Sequence, residues 1–313
     1  MRRVLITDDV HPVMAEKLKA AGMECTIETE HTYESLLERV QGYDAVVVRS
    51  KIIIDKNFID HARHLKCIGR VGAGMETIDT EYAERCGIRC LNSPEGNRDA
   101  VGEHAVALLL ALLDKVAKAD AEVRKGLWQR EANRGLEVKG RTVGIIGFGN
   151  MGSAFAQRLQ GFGCRILAYD KYKTGYTTDY VEECRMERLW KECDVVSLHV
   201  PLTDETRYLA DEAFFSRFEK PIYVINTSRG GVVKTSALAA AMKAGTVAGA
   251  ALDVSEYEDM TKDGLTLEQM PEDWRYLTES DRTVLTPHVA GWTVESKYKL
   301  AAVLAEKIIE ICS

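Results

Sequence analysis

Residues 140–152, GRTVGIIGFGNMG, place an apolar strand pattern directly before three glycines, and they are the most informative stretch of the sequence. The continuously apolar run TVGII (142–146) is typical of a parallel strand that is covered on both faces. Gly147, Gly149 and Gly152 then follow in the spacing GxGxxG, and the next residues, SAFAQRLQ, have a helical pattern. A strand, a glycine turn and a helix in this order predict the first βα unit of a dinucleotide-binding sheet.

Each glycine has a separate physical task in such a unit. Gly147 permits the tight turn, Gly149 lets the backbone approach a pyrophosphate, and Gly152 allows the helix to pack closely on the strand. The helix begins with Asn150 and Met151, and its first N–H groups and positive dipole end favour phosphate. A glycine turn without a ligand is the alternative interpretation, which the complete strand–turn–helix context disfavours.

An acidic residue completes this pattern. Asp170 stands directly after the next strand candidate, RILAY (165–169), and 18 residues after Gly152. A carboxylate there accepts hydrogen bonds from ribose hydroxyls and repels a 2′-phosphate. The sequence therefore predicts NAD, rather than NADP, as the cofactor.

Working outward, strand candidates alternate with helical patterns along the whole chain, which predicts two doubly wound parallel-sheet domains of the α/β class. The candidates of the first series are RVLIT (3–7), AVVVRS (45–50), KCIGRV (66–71) and IRCLN (88–92). Those of the second series are TVGII (142–146), RILAY (165–169), DVVSL (194–198), IYVIN (222–226), VAGAAL (247–252) and TVLT (283–286).

The positions of the two series predict a discontinuous first domain. We expect one domain to comprise residues 1–98 and 287–313, and the glycine-rich domain to comprise residues 99–286. One long helix over 99–124 is expected to connect them, and 294–311 is expected to form a final helix. The polar segment 256–281 is predicted to be a long functional or mobile loop.

Composition excludes several classes of protein. The 313 residues are 46% hydrophobic and 28% charged, as in globular proteins, and the net charge is −7. An acidic chain is not expected to bind nucleic acid or an acidic membrane surface, and no apolar run approaches the ~18 residues of a membrane span. The 8 scattered cysteines predict reduced thiols in the cytoplasm, and no histidine pair has metal-ligand spacing.

Three strand ends in the second half offer an arginine, a glutamate and a histidine. Arg229 follows IYVIN, Asp253 and Glu258 follow VAGAAL, and His288 follows TVLT. Ligands bind at the carboxyl ends of parallel strands, so these side chains are expected at one edge of the sheet. Each one alone is more often a surface charge or a packed imidazole, but together they favour catalysis.

Two further loops follow strands. VGAG (71–74) predicts either a tight turn or a loop whose N–H groups hold an anion. His199 follows DVVSL and is expected to line the cofactor pocket, whereas His104 is expected to be an interior group.

These motifs, in this order, resemble the D-isomer-specific 2-hydroxyacid dehydrogenases over nearly the whole chain. The resemblance rests on VGAGMETID, NSPEGNRDAVGEHAVALLLAL, VGIIGFGNMG, LHVPLTDET, VINTSRGGVV, GAALDV and TPHVAGWT. It implies a Rossmann NAD domain inserted into a flavodoxin-like substrate domain, with the active site in the cleft between them. It also implies a homodimer, for which the apolar face of helix 100–113 is the expected interface, without an appended regulatory domain.

The resemblance implies roles for individual residues. Arg229, Glu258 and His288 match the family's catalytic residues, and the amides of Ala73 and Gly74 match the loop that holds the substrate carboxylate. The remaining cofactor contacts that it implies are Thr227 and Asp253 near the nicotinamide amide, Val200, Pro201 and Thr206 on the adenine side, and His199 and Gly291.

The sequence also departs from the family pattern. Asp259 follows Glu258, where the family commonly has proline, so Glu256 remains an alternative partner of His288. Glu76 and Thr77 stand where Asp and Asn are frequent, which bears on the choice of substrate.

The implied reaction is hydride transfer between NAD and a D-2-hydroxy acid, with His288 as general base, Glu258 orienting it and Arg229 binding the carboxylate. Arg49 and Lys51 match a basic turn that holds phosphate in similar phosphoglycerate dehydrogenases, which predicts 3-phosphoglycerate as substrate and a place in serine biosynthesis. Arg49 paired with a nearby acid is the plainer interpretation.

Other functions remain open at this point. The same family includes glyoxylate and hydroxypyruvate reductases and other D-2-hydroxyacid dehydrogenases. A formate dehydrogenase is disfavoured because its histidine is paired with Gln. An NAD-sensing corepressor-type protein is disfavoured because the arginine, glutamate and histidine are all present.

Overall fold

A computed structural model describes residues 2–262 and 264–312 of the chain, which form two compact units. Unit 1 comprises Met1–Asp99 and Trp292–Ser313, and unit 2 comprises Ala100–Gly291. The first predicted boundary, 98/99, lies one residue from the observed one. The second, 286/287, was placed five residues too early, because Val289 and Ala290 donate backbone hydrogen bonds to Asp253 of unit 2 and keep their loop there.

Unit 1 is a parallel five-stranded sheet of order β2-β1-β3-β4-β5, the flavodoxin-like arrangement. Its strands are β1 (Arg3–Ile6), β2 (Glu24–Ile27), β3 (Ala45–Val48), β4 (Cys67–Arg70) and β5 (Arg89–Asn92). Its helices are α1 (Val13–Ala20), α2 (Tyr33–Arg39), α3 (Lys56–His61), α4 (Thr80–Arg85) and α13 (Val294–Cys312). Strand β2 was not predicted, because it is an edge strand with no fully buried residue and a mixed sequence, ECTI.

Both faces of this sheet are buried. Val4 and Ile6 lie in one apolar cluster with residues of α1 and α13, while Leu5 between them lies in another with residues of α2, α3 and α4. Successive side chains of a strand point to opposite faces, so two covered faces require the continuously apolar strands seen in the sequence.

Unit 2 is a parallel seven-stranded sheet of order β12-β11-β10-β9-β6-β7-β8, which contains the Rossmann order and adds one further strand at an edge. Its strands are β6 (Thr142–Ile146), β7 (Arg165–Tyr169), β8 (Glu182–Glu183), β9 (Val195–Leu198), β10 (Ile222–Asn226), β11 (Val247–Leu252) and β12 (Thr283–Leu285). The remaining helices are α5 (Arg98–Leu113), α6 (Val116–Arg124), α7 (Asn150–Leu159), α8 (Met186–Glu192), α9 (Glu212–Ser216), α10 (Thr235–Ala244), α11 (Glu258–Lys262) and α12 (Glu272–Glu279). The predicted fold class is confirmed. The two-residue strand β8 is too short to leave a pattern in the sequence.

The single helix predicted over 99–124 is wrong, because the chain breaks between α5 and α6. Lys115 adopts a left-handed conformation with φ of 56°. The carbonyl of Leu113 accepts a hydrogen bond from Leu136 N at 3.0 Å, so a distant segment terminates the helix. No glycine or proline marks this break in the sequence.

The polar segment 256–281 is largely helical rather than a long loop. It contains α11, α12 and a short 3-10 turn, Leu267–Gln269. Leu277 of α12 is fully buried in the main core of unit 2 and fixes that helix. The predicted loop rested on the polar composition of the segment, whereas Trp274 and Leu277, three residues apart, pack on the core as helix neighbours do.

The apolar side of helix 100–113 that was expected to form a dimer interface lies largely within unit 2, and the interface itself stays a prediction. Leu108, Leu109 and Leu112 are at most 6% exposed and belong to the core of unit 2. By contrast, α6 has no buried residue among those described. No helix in the described ranges is both long and apolar enough to cross a membrane.

Candidate active site

Six strands of unit 2 end in one row across the sheet. Tyr169, Ile146, Leu198, Asn226, Leu252 and Leu285 are register partners of their neighbours in turn. The next residue of each strand therefore lies at the same carboxyl edge. These residues are Asp170, Gly147, His199, Thr227, Asp253 and Thr286. Five of the six were predicted as cofactor residues, and Thr286 was not.

The glycine turn has the geometry that a pyrophosphate site requires. Gly147 has a φ of 91°, and a Cβ there would lie 2.6 Å from the His199 carbonyl oxygen. A Cβ on Gly152 would lie 2.0 Å from the Gly147 carbonyl oxygen, so only glycine lets α7 approach the turn. At Gly149 the position of a Cβ is open, with no atom of the other described residues within 4 Å apart from its chain neighbours.

Helix α7 is ten residues long and begins at Asn150 and Met151, with no side chain capping its first N–H groups. Open space at Gly149 next to uncapped helix amides suits the phosphates of a dinucleotide.

The Asp170 carboxylate is fixed by backbone amides. One oxygen accepts from Phe148 N at 2.8 Å, and the other accepts from Tyr172 N at 2.9 Å and Lys173 N at 3.0 Å. The following Lys171 contacts the Glu205 carboxylate, which raises the pKa of Lys171. The lysine charge is thus engaged by Glu205 beside the carboxylate that would face a 2′-phosphate.

Two buried polar atoms beside the turn have no partner within the described residues, namely Thr227 Oγ1 and His199 Nδ1. Their residues are 8% and 9% exposed. Burial lowers the pKa of His199 to about 4, so the imidazole is neutral at pH 7, with Nε2 2.8 Å from Ser197 Oγ. Buried polar groups are normally hydrogen-bonded, so these atoms and the space at Gly149 fit a bound dinucleotide.

Residues 200–206 form a closed turn after β9. The Thr206 hydroxyl donates to the Pro201 carbonyl at 2.5 Å and accepts from Thr203 N at 2.8 Å. Val200 Cγ1 lies 2.9 Å from the position of a Cβ on Gly147. The turn is therefore held by its own hydrogen bonds and lies next to the glycine loop. Its contact with adenine stays a prediction.

The loop that carries Arg229 touches the loop that leads to Glu258. A Cβ on Gly230 would lie 1.9 Å from the Ser255 carbonyl oxygen, so glycine permits this contact. Asn226 Nδ2 donates to the Arg229 carbonyl at 3.0 Å, which fixes the turn after β10. The half-buried Arg229 donates from Nη1 to the Ser228 carbonyl at 2.7 Å.

His288 and Glu258 are brought together. His288 Nδ1 lies 3.0 Å from Glu258 Oε2, and Ser255 N donates to the other oxygen at 3.1 Å. Glu256, the alternative partner, accepts from the Tyr208 hydroxyl at 2.6 Å and from Thr235 N at 2.9 Å. The structure thus pairs the histidine with Glu258 and gives Glu256 other partners.

Asp253 fastens the loop on which His288 stands. Its carboxylate accepts from Thr286 Oγ1 at 2.6 Å, Val289 N at 2.9 Å and Ala290 N at 2.8 Å, and its carbonyl accepts from His288 N at 2.7 Å. Gly291 follows as the last residue of unit 2. Burial of Asp253 alone would raise its pKa, but the hydrogen bonds from His104, Thr286 and these amides lower it.

This network contains two residues that sequence reasoning missed as site residues, Thr286 and His104. His104 Nε2 lies 3.1 Å from Thr286 Oγ1 and 3.5 Å from Asp253 Oδ1. The position of Thr286 directly after β12 was an available signal, whereas nothing near His104 in the sequence points to Asp253.

In unit 1, side chains hold the 71–74 loop by hydrogen bonds to its carbonyl groups. Arg70 Nη1 donates to the Gly74 carbonyl at 2.7 Å, and Asn92 Nδ2 donates to the Ala73 carbonyl at 2.6 Å. The amides of Ala73 and Gly74 have no acceptor within residues 2–262 and 264–312. Two consecutive amides without an acceptor are available to donate hydrogen bonds to an anionic group, as the sequence predicts.

The Arg49 guanidinium lies over the Trp292 ring, 4.5 Å from its centroid, while Arg49 N donates to Asp8 at 2.7 Å. In the described part of the chain, no carboxylate lies within salt-bridge distance of this guanidinium, so the plainer expectation of an acidic partner is met only by a longer-range interaction with Asp9. Lys51 Nζ lies 3.3 Å from the Thr29 carbonyl. The pKa of the nearby Asp9 is lowered first by Lys297 and further by Arg49 and Lys51.

Comparisons with known proteins agree with this geometry. The family model described as "D-isomer specific 2-hydroxyacid dehydrogenase, NAD binding domain" matches residues 106–290. The chain is 35% identical over 311 residues to a D-3-phosphoglycerate dehydrogenase of Archaeoglobus fulgidus, covering 99% of this chain and 57% of that protein. The chain thus spans little more than half the length of that relative.

A second relative matches over most of its length. The chain is 35% identical over 290 residues to a hydroxypyruvate reductase of Thermotoga maritima, covering 92% of this chain and 91% of that protein. Among solved structures, a D-lactate dehydrogenase of Aquifex aeolicus complexed with NAD and lactic acid superposes with a TM-score of 0.81 at 27% identity, covering 99% of this chain and 94% of that one.

Proposed function

This chain belongs to the D-isomer specific 2-hydroxyacid dehydrogenase family, and we propose that it is an NAD-dependent oxidoreductase that interconverts a D-2-hydroxy acid and the corresponding 2-oxo acid. The observation that carries this proposal is the 3.0 Å contact between His288 Nδ1 and Glu258 Oε2, at the sheet edge that also bears the glycine turn. A binding protein without turnover would not need a paired acid–base group there.

The roles of the three residues follow from charge. Because Glu258 engages Nδ1 of His288, Nε2 is the nitrogen available to take the substrate hydroxyl proton and to return it in the reverse direction. Glu258 stabilises the imidazolium that forms. Arg229 binds the substrate carboxylate and stabilises negative charge on the carbonyl oxygen. The nicotinamide, when bound, accepts or supplies the hydride at C2 of the substrate.

The proposed cofactor contacts are the α7 amides for the pyrophosphate, Asp170 for the ribose, and Thr227 for the nicotinamide end. NAD(H) is preferred to NADP(H), because Asp170 carries a charge that repels a 2′-phosphate and Lys171 is paired with Glu205. Comparing kcat/KM for the two cofactors tests this preference.

The proposed substrate is 3-phosphoglycerate, which is oxidised to 3-phosphohydroxypyruvate, a reaction of serine biosynthesis. Two features support it: the Arg49 guanidinium, which forms no salt bridge in the described chain, and the relatives named D-3-phosphoglycerate dehydrogenase. The amides of Ala73 and Gly74 bind the carboxylate, and Arg49 and Lys51 bind the phosphate.

Hydroxypyruvate reduction is the second candidate, because the relative of that name matches this chain over nearly its whole length. Hydroxypyruvate differs from 3-phosphohydroxypyruvate only in lacking the phosphate, so the role of Arg49 and Lys51 distinguishes the two candidates.

A reductase screen with NADH over 2-oxo acids of different size and charge tests the activity, and Arg49→Ala tests the substrate. A charge-assisted hydrogen bond contributes roughly 1.5–3 kcal/mol, so this change is expected to raise KM for the phosphorylated substrate at least about tenfold. KM for hydroxypyruvate should barely change and serves as the control. Equal effects on both, or better turnover of hydroxypyruvate or glyoxylate than of the phosphorylated pair, would reject the phosphate assignment.

The proposed assembly is a homodimer in the cytoplasm. Support for the dimer is an exposed apolar surface on and after α6, consisting of Val116, Val123, Leu127 and Trp128, which are 44–79% exposed. Support for the cytoplasm is that all eight cysteines are free thiols.

A further inference from the structure

We propose that His104 is a positioning residue for His288, and that it acts through Thr286 and Asp253. The inference rests on the proposed role of His288 as the proton-transferring group. His104 belongs to α5, outside the strand-end motifs, and all four residues lie in unit 2. The contacts form a chain from His104 Nε2 to Thr286 Oγ1 (3.1 Å) and from Thr286 Oγ1 to Asp253 Oδ1 (2.6 Å).

The available protons determine which group donates in each of these hydrogen bonds. A threonine hydroxyl has one proton, and the ionised Asp253 carboxylate only accepts. Thr286 therefore donates to Asp253, and its oxygen accepts from His104. His104 must consequently carry a proton on Nε2, which also lies 3.5 Å from Asp253 Oδ1.

Asp253 depends on these donors because it is only 1% exposed. Its carboxylate has the Thr286 hydroxyl and the amides of Val289 and Ala290 as hydrogen-bond donors, and a buried charge is tolerated only when it is paired and hydrogen-bonded. Removing the imidazole would leave the Thr286 oxygen without its donor and would weaken the anchor of the loop.

The loop needs that anchor because His288 has a φ of 54°. A left-handed conformation is unfavourable for a non-glycine residue, so it persists only where surrounding contacts impose it. Here Asp253 supplies the contacts. Its carboxylate accepts hydrogen bonds from Thr286, which precedes His288 in the sequence, and from Val289 and Ala290, which follow it. A displaced imidazole would lose its alignment with Glu258, and misplacement by ~1 Å can lower a rate by about 10².

The test compares His104→Gln with His104→Phe. The Gln side chain can place an amide N–H where Nε2 stands, whereas Phe keeps the ring without the donor. Two readouts are measured: hydrogen–deuterium exchange of the peptide covering 286–291, and kcat and KM for whichever 2-oxo acid the wild-type protein reduces.

We expect His104→Phe to speed exchange of the 286–291 amides and to lower kcat, each by at least about tenfold, while KM and the NADH Kd change less than about twofold. His104→Gln should restore both readouts to within about threefold of wild type. Thr286→Val should resemble His104→Phe, and the double variant should be no worse than either single variant, because both remove the same anchor.

Unchanged exchange and kcat in His104→Phe, or fully additive effects with Thr286→Val, would overturn the inference. The exchange measurement needs no substrate. If the wild-type protein reduces no 2-oxo acid, the proposed function fails on its own, and exchange still decides whether His104 anchors the loop. A general loss of Tm in His104→Phe with faster exchange everywhere would mean a merely structural role and would also reject the inference.

Discussion

Glu256, just before α11, and Glu258, its first residue, are carboxylates with different partners, which makes them a matched pair. Glu258 holds His288, whereas Glu256 holds Tyr208 and Thr235 N. Glu258→Gln should lower kcat by about 10–10³-fold, because the imidazolium loses its counter-charge. Glu256→Gln should leave kcat within about threefold of wild type, since a neutral amide retains most of its contacts.

Steady-state kinetics with NADH and one 2-oxo acid measures both variants. A silent Glu258→Gln beside an impaired Glu256→Gln would contradict the pairing seen here.

His199 should make the free energy of unfolding depend on pH. Burial lowers its folded-state pKa to about 4, so protonation favours the unfolded chain, where the pKa is ordinary. Above pH ~6.5 the imidazole is neutral in both the folded and the unfolded state, so it does not make stability depend on pH. As pH falls from there towards 4, the free energy of unfolding decreases, by about 2 kcal/mol between pH 7 and pH 5.

Carboxylates titrate in the same range, so the comparison uses His199→Gln, which cannot be protonated there. Urea unfolding at pH 7 and pH 5 should show a smaller drop in the variant by about 2 kcal/mol. Parallel drops in both proteins would show that the imidazole is not kept neutral by burial.

At the scale of secondary-structure elements, two glycines of the turn between β6 and α7 should affect folding and cofactor binding differently. Gly149→Ala should leave Tm unchanged, because the new Cβ meets no atom within 4 Å in the described part of the chain beyond its neighbours, and φ of −84° suits alanine. The same methyl group occupies the space before the α7 amides, so the NADH Kd should rise at least about tenfold.

Gly152→Ala is the contrasting change at the same turn. Its Cβ would lie 2.0 Å from the Gly147 carbonyl oxygen, which is backbone and cannot rotate away. We expect a Tm lower by several degrees together with weak NADH binding, which thermal unfolding and NADH fluorescence titration would measure. A normal Tm for this variant, or a large loss of Tm for Gly149→Ala, would show that the turn is built differently.

At the scale of the whole molecule, the exposed apolar surface on and after α6 predicts a dimer. Trp128 is 79% exposed and Val123 is 51% exposed, and apolar patches of this kind mark interfaces. The wild-type protein should be a dimer at micromolar concentration by light scattering. Val123→Asp combined with Trp128→Asp should give a folded monomer, since charges at an interface centre are costly. A wild-type monomer, or a double variant that remains dimeric, would reject this surface.

The sequence predicted most of what local pattern and spacing encode. The continuously apolar strands required two covered sheet faces, and the GxGxxG turn with Asp170 predicted the dinucleotide site. The strand-end motifs placed Arg229, Asp253 and His288 at one edge, because parallel strands bring their carboxyl ends together. The edge strands β2 and β8 were not predicted, because short, half-exposed strands have no apolar pattern.

Only the tertiary structure decided features that depend on contacts between distant residues. Leu136 N ends α5 at Leu113, Leu277 anchors α12 in an acidic segment, and Leu108, Leu109 and Leu112 of α5 are buried in the core of unit 2. The choice of Glu258 over Glu256 depends on Tyr208 and Thr235, which hold the latter. His104 meets Thr286 across 182 positions of the chain. No spacing rule reaches that far, because such a contact is set by how helices and strand ends pack and by which buried polar groups must find partners.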